Sequence, residues 1–164
     1  MSVLQVEKLS KTFGTGELAV QALREATFSV ERGELVALLG PSGSGKSTLL
    51  LCLSLIEEPS GGTIRVAGRD AWREGPVGLD VRRYRRENIG FIFQGHNLIP
   101  FLTAQENIAL AMQLNGVKKA EAARRARRLL DYLEVGHRAA ALPGTLSGGE
   151  RQRIAIARAL ANEP

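Results

Sequence analysis

The N-terminal part of the chain alternates apolar and polar residues with the period of a half-buried sheet. Residues 3–13 and 26–30 show this alternation, which predicts two strands. Charged residues and a glycine at 31–33 predict a turn into the apolar run 34–39, which we expect to be a third strand. A fourth strand is predicted at 63–67.

Helical spacing first appears at 46–56, where an apolar stretch is followed by Pro59 and glycines that end a helix. A short basic helix is predicted at 80–87, and the apolar segment 89–93 after it predicts another strand. Turn-forming residues mark an irregular stretch before the basic helix: Gly75, Pro76 and Gly78.

Helices dominate the rest of the chain. Thr103 and Glu106 have the spacing of a capping box, and Asn115-Gly116 is typical of a helix end. The chain therefore divides into a mixed sheet region, 1–95, and a helical region, 96–164.

Composition narrows the class of protein. A length of 164 residues with 44% hydrophobic residues suits one soluble domain with a core. Cys52 is the only cysteine and lies in an apolar stretch, so we expect a buried thiol and no disulfide within the chain. With only two histidines beside it, a structural zinc site is excluded. No apolar run approaches the ~20 residues that span a bilayer, which predicts a cytosolic location.

The net charge of +5 raises the question of nucleic-acid binding, because arginines occur in two clusters, at 82–86 and 124–128. The second cluster accompanies an apolar stripe at helical spacing, so its arginines are interpreted as a solvated helix face. Tyr84 is the only aromatic residue between these arginines, which argues against a stacking platform for bases. No specific nucleic-acid partner is expected.

The segment 40–48 reads GPSGSGKST and lies between the apolar run 34–39 and the predicted helix. Glycines at this spacing let successive N–H groups turn inward around an anion, and the helix that follows aims its positive end at the same place. Lys46 can reach β and γ phosphates and the Ser47 hydroxyl a shared magnesium ion, so Mg-ATP or Mg-GTP is the expected ligand. The alternative is a glycine-rich surface turn with an incidental lysine.

A second motif, LSGGERQR, occupies residues 146–153. Ser147 and Glu150 form another capping box ahead of an alanine-rich helix at 152–161. Gly148 and Gly149 leave the helix start bare of side chains, which predicts a second anion site. Two such sites suggest a triphosphate held between two surfaces.

Together the two motifs resemble those of the ATP-binding subunits of ABC transporters, with GPSGSGKST as the Walker A loop and LSGGERQR as the signature motif. The resemblance extends over the chain, since 89–108 is similar to the glutamine-loop region and 9–34 to the N-terminal sheet. Within that family, the segments GERQR and RRENIGFIFQ are most similar to those of the macrolide-export and lipoprotein-releasing ATPases. The resemblance implies an α/β fold: a P-loop NTPase core with an N-terminal antiparallel β region and a helical subdomain.

The resemblance also implies roles for individual residues. Phe13 stands where family members stack an aromatic ring on adenine, although tyrosine is usual there. Lys46 and Gln94 are implied to act in catalysis, and Ser47 with Gln94 to hold magnesium. The implied nucleotide-binding residues are Phe13, Gly40, Pro41, Ser42, Gly43, Ser44, Gly45, Lys46, Ser47 and Thr48.

The signature residues are implied to act on a nucleotide held by another subunit; they are Ser147, Gly148, Gly149 and Glu150. The implied assembly is a head-to-tail homodimer or pseudo-dimer with ATP between the subunits. Its partners are transmembrane transporter subunits that dock near 95–102, which places the chain at the inner face of the cell membrane.

The chain departs from the family pattern at its end, because no apolar strand ending in Asp-Glu follows the signature helix before Pro164. Glu163 matches a helix end and is not expected to be the general base. The C-terminal part of the core sheet is expected to be missing, which leaves an uncovered edge, and this polypeptide alone is expected to hydrolyse ATP inefficiently. A non-catalytic nucleotide-binding module and a cell-division ABC ATPase remain alternatives.

Overall fold

The computed structural model describes residues 2–75, 77 and 80–164. Contacts divide the chain into two compact units, Met1–Val81 and Arg82–Pro164. The predicted division into 1–95 and 96–164 stays a prediction. Pro76 and Gly78, which we assigned to an irregular stretch, lie outside the described residues.

The first unit contains a four-stranded antiparallel sheet in the order β2-β1-β3-β4. The central strand β1 pairs with both neighbours, so that Val6 faces Phe28 on one side and Ile64 on the other. Val6 and Ile64 are opposite each other in the sheet and fully buried, and the break in register between Val6 and Leu9, where Lys8 has a φ of 48°, allows Leu9 to be fully buried as well. The strands are β1 (Ser2–Phe13), β2 (Val20–Glu31), β3 (Gly61–Val66) and β4 (Arg69–Arg73).

The strands predicted at 3–13, 26–30 and 63–67 are therefore confirmed, with β2 longer than expected. The strand β4 was not predicted. Ala67 and Gly68 both have positive φ, 48° and 77°, which makes the β3–β4 connection a type I′ hairpin turn. Alanine rarely occupies the first position of that turn, so the sequence carried a weak signal for it.

Two predicted strands are wrong. Residues 34–39 and 89–93 have no strand assignment and no ladder partner among the described residues. Leu35 is 97% exposed and Leu39 is 89% exposed. An apolar run predicts burial, but a strand also needs a neighbouring strand to accept its backbone hydrogen bonds, and that is not a local property.

The described residues also form five α-helices. In the first unit, α1 (Lys46–Leu53) follows the glycine-rich segment 40–45 and ends three residues before the predicted end. The basic helix α2 (Val81–Asn88) begins at the last residue of that unit. The second unit continues with α3 (Ala104–Gln113), α4 (Lys119–Tyr132) and α5 (Gly148–Leu160).

The core of the second unit lies where α3, α4 and α5 meet. Ile108, Met112, Leu130 and Ile154 are fully buried there. On α4, the side chains of Arg124 and Arg128 are 70% exposed and that of Arg127 is 51% exposed, whereas that of Arg125 is 28% exposed and pairs with Glu163. The interpretation that these arginines fall largely on the solvated face of the helix is confirmed.

Candidate nucleotide-binding site

The glycine-rich segment 40–48, the phosphate loop, lies directly on the sheet of the first unit. Gly45 caps α1 in the left-handed conformation, with a φ of 85°. A Cβ atom at this position would stand 2.5 Å from the carbonyl oxygen of Ala22 on β2. The loop can approach the strand this closely only because residue 45 has no side chain.

Lys46 draws the phosphate loop into a ring. Its Nζ donates to the carbonyl oxygens of Gly40 at 2.8 Å and Pro41 at 2.7 Å, and to Ser44 Oγ at 3.2 Å. A cation is thereby held against the concave side of the loop by neutral oxygens. An anion entering the loop would offer that ammonium group stronger, charge-assisted partners.

The helix start adds further donors at the same place. The first α-helical bond of α1 runs from the Leu49 amide to the Gly45 carbonyl at 2.8 Å. The amides of residues 46–48 precede it and have no carbonyl one turn earlier in the helix, so they point out of the N-terminal end. The Ser47 side chain is exposed beside them. Together with the ammonium group, these amides have the arrangement of an anion site, and anion binding here stays a prediction.

A cavity of about 460 Å³ opens beside the loop within the first unit. Its walls combine loop residues with apolar residues, so the space has a positively charged end and a hydrophobic side. Its lining includes Leu23, Leu38, Leu39, Gly43, Gly45 and Lys46.

Phe13 ends β1 opposite Val20 and is 40% exposed. Lys11 Nζ lies 4.8 Å from the centre of its ring, which is a cation–π contact on one face. A half-exposed ring can stack on a planar base, and the adenine contact stays a prediction.

In the second unit, Gln94 is exposed in a tight turn. The amide of His96 closes this turn by donating to the Phe93 carbonyl oxygen at 3.0 Å. His96 and Asn97 both have positive φ, 62° and 46°. The segment that carries Gln94 is therefore an ordered loop and not the end of a strand.

The signature motif opens α5 with the predicted capping box. Ser147 Oγ accepts from the Glu150 amide at 3.3 Å, and Glu150 Oε2 accepts from the Ser147 amide at 2.7 Å. The helix begins at Gly148, directly after the cap residue, as the predicted capping box requires, and both signature glycines are exposed. The Ser147 hydroxyl also lies against the Glu150 carboxylate, so an anion at the helix start would compete with that carboxylate for the hydroxyl proton.

Charge around Glu150 reinforces the cap. The backbone amide of Ser147, then its hydroxyl, lowers the pKa of Glu150 below its ordinary value. Arg138 Nε lies 3.1 Å from Glu150 Oε1 as an ion pair, and its Nη2 donates to the Thr145 carbonyl oxygen at 2.6 Å. Sequence reasoning missed Arg138, since only the fold brings it beside the signature motif.

Glu163 follows the end of α5 and pairs with Arg125 at 2.7 Å. The prediction that residues 162–164 belong to a helix end is confirmed.

Cys52 is fully buried, as predicted, and burial raises the pKa of its thiol.

No three His, Cys, Asp or Glu side chains among residues 2–75, 77 and 80–164 come together as a metal-binding cluster. Within the same part of the chain, every helix is too short or too polar to cross a membrane.

Comparison with known proteins places these features in a family. A family model described as "ABC transporter" matches residues 23–164. The lipoprotein-releasing system ATP-binding protein LolD of Geobacter metallireducens is 44% identical over 163 residues, covering 99% of this chain and 72% of that protein. LolD of Gluconobacter oxydans is 47% identical, covering 99% of this chain and 70% of that protein.

Solved structures agree with the sequence relatives. A dimeric post-hydrolysis state of the ATP-binding cassette MJ0796, bound to ADP and Pi, has a TM-score of 0.88 at 36% identity. It covers 98% of this chain, which covers 70% of that cassette. A second dimeric MJ0796 structure has a TM-score of 0.86 at 37% identity with the same coverage. The predicted α/β fold with an antiparallel β region and helices is thus confirmed, and the chain belongs to the ABC transporter family, among its ATP-binding proteins.

Proposed function

We propose that this chain binds Mg-ATP at the phosphate loop and uses it to pair head-to-tail with a second cassette. The observation that carries the proposal is the placement of the Lys46 ammonium group, which lies among carbonyl oxygens at 2.7–2.8 Å beside the outward amides of α1. A triphosphate satisfies both groups of donors better than those carbonyls do.

Within the phosphate loop, backbone amides of 42–48 hold the β and γ phosphates, with Lys46 as the point charge between them. The Ser47 hydroxyl, exposed at the helix start, and Gln94 would hold magnesium, which would supply positive charge against the phosphates. Phe13 would stack on the adenine ring. Lys46 and Gln94 are the residues of this chain that would act on the γ-phosphate.

The signature motif supplies the second surface. Ser147 donates its hydroxyl proton, and Gly148 and Gly149 their amides, to the γ-phosphate held by another cassette. Glu150 keeps the serine in place through the capping box. The exposure of both glycines supports this role, since a phosphate needs close approach to the helix end. Closure with ATP and release after its hydrolysis is a population shift driven by the γ-phosphate.

The partners that convert pairing into transport are membrane subunits, and the relatives named above favour lipoprotein release as the process. Docking through residues 95–102 would hold the chain at the inner face of the membrane. The regions 1–95 and 96–164 are proposed as the nucleotide-binding and helical parts.

The test compares two variants in calorimetry with Mg-ATP and in sedimentation. Lys46→Ala should abolish nucleotide binding, whereas Ser147→Ala should leave the affinity of the single cassette unchanged and weaken ATP-driven pairing. Lys119→Ala, which removes an exposed lysine at the start of α4, is the charge-matched control and should change neither quantity. Wild-type affinity in Lys46→Ala would refute the phosphate site, and equal loss of single-cassette affinity in both site variants would refute the assignment of Ser147 to a second cassette.

A further inference from the structure

Arg158, near the end of α5, makes an unusual set of contacts. Its Nη2 donates to the carbonyl oxygen of His96 at 2.7 Å, and its Nη1 donates to that of Asn97 at 2.6 Å. No carboxylate forms an ion pair with it within the described ranges. Burial lowers the pKa of this half-buried guanidinium, and the two carbonyl oxygens are the acceptors of its hydrogen bonds.

The two carbonyls are presented by backbone in an uncommon conformation. His96 and Asn97 both have positive φ, 62° and 46°, in the left-handed region that few residues other than glycine adopt, although asparagine and histidine are found there more often than most. A planar fork of N–H donors satisfies both carbonyls at once, which a flexible ammonium group does less well. The arginine thus stabilises one particular path of the chain immediately after Gln94.

The chain before Gln94 also lies on α5. A Cβ atom at Gly90 would stand 2.6 Å from the carbonyl oxygen of Ala159, the neighbour of Arg158. Gln94 therefore lies between two attachments to one turn of this helix, Gly90 on one side and the Arg158 contacts on the other. The turn closed by the His96 amide joins them.

We propose that Arg158 is a positioning residue that ties the Gln94 segment to the helix that carries the signature serine. The α5 helix has 13 residues and is about 20 Å long, with Ser147 capping its first turn. Because a helix is stiff over this length, displacement of Gln94 by a γ-phosphate is transmitted to the signature end. This inference rests on the proposed function, in which both residues contact a γ-phosphate.

The test measures affinity for Mg-ATP and Mg-ADP in Arg158→Lys, which keeps the charge but loses the fork. ADP lacks the γ-phosphate that Gln94 contacts, so affinity for ATP should fall about tenfold while affinity for ADP stays within about twofold. In a Gln94→Ala background the same substitution should have no further effect, because residues that act through one another are not additive. Arg125→Lys is the control; Arg125 donates to the Ala161 carbonyl at 3.2 Å but does not touch the Gln94 segment.

Parallel loss of ATP and ADP affinity in Arg158→Lys would show a merely structural role and overturn the inference. So would unchanged ATP affinity, or an undiminished tenfold loss in the Gln94→Ala background. A wild-type chain that binds neither nucleotide would refute the proposed function, and this inference with it. If Arg158→Lys does not fold, hydrogen exchange on the wild type decides: Mg-ATP, unlike Mg-ADP, should protect the amides of His96 and Arg151 together, and protection of His96 alone would contradict the coupling.

Discussion

The phosphate loop depends on the absence of a single side chain at Gly45. Both its positive φ and its closeness to the Ala22 carbonyl oxygen require glycine, whereas Gly33 shares the positive φ but has open space around it. Alanine substitutions at these two positions therefore distinguish the free-energy cost of a left-handed residue with a side chain from the cost of a steric clash.

Gly33→Ala should lower the free energy of unfolding by about 1 kcal/mol, the cost of a left-handed residue with a side chain. Gly45→Ala should lower it by more, since a Cβ atom 2.5 Å from a backbone oxygen must also displace the loop or the strand. Urea denaturation without nucleotide measures both. Equal losses in the two variants would mean that the loop does not lie against β2 as described.

The helices α3 and α5 begin in the same way, with a hydroxyl residue and a glutamate in reciprocal contact. In α3, the backbone amide and then the hydroxyl of Thr103 lower the pKa of Glu106 below its ordinary value. Both capping boxes could be predicted from the sequence because all their parts lie within four residues. The conformation of the chain between the two helices could not be predicted in this way.

Thr103→Ala should destabilise the protein by about 1 kcal/mol at neutral pH, while Thr103→Ser, which retains the hydroxyl, should cost much less. The lowered pKa of Glu106 adds a pH dependence. Its stabilising effect is complete above the ordinary glutamate pKa of about 4.3 and is lost as the pH falls through the lowered value in the folded protein.

Thermal unfolding from pH 7 down to pH 2.5 measures this effect. The difference between wild type and Glu106→Gln should be largest at neutral pH and shrink in acid. A difference that grows as the pH falls would have the wrong sign for a carboxylate stabilised in its charged form.

At the scale of the whole molecule, the apolar run before the phosphate loop is exposed rather than buried in a core. Leu35 and Leu39 are almost fully exposed, and Val36 is half-exposed. A contiguous apolar surface of this kind promotes association between molecules.

Leu35→Gln combined with Leu39→Gln should therefore reduce self-association at high concentration and change the free energy of unfolding by no more than about 0.5 kcal/mol. Leu9→Gln places the same side chain at a fully buried position and should be strongly destabilising. Light scattering and urea denaturation give the two readouts. Strong destabilisation by the double substitution would show that this run is buried in solution.

Local chemistry could be predicted from the sequence and long-range contacts could not. The phosphate loop and both capping boxes were predicted because each is complete within a few residues. The strands at 34–39 and 89–93 were predicted wrongly because an apolar pattern reports a tendency to be buried, and a strand exists only where another strand pairs with it. The expected inefficiency of ATP hydrolysis stays a prediction.

By itself, the sequence determined the local conformation of the two segments proposed to bind an anion, since glycine spacing and a helix-capping residue set that conformation. Only the tertiary structure decided what holds those segments in place. Arg138 beside Glu150, and Arg158 on the carbonyls of His96 and Asn97, join residues that are 12 and about 60 positions apart in the chain. Such contacts depend on how helices pack, and packing is set by the whole core and not by any one stretch of sequence.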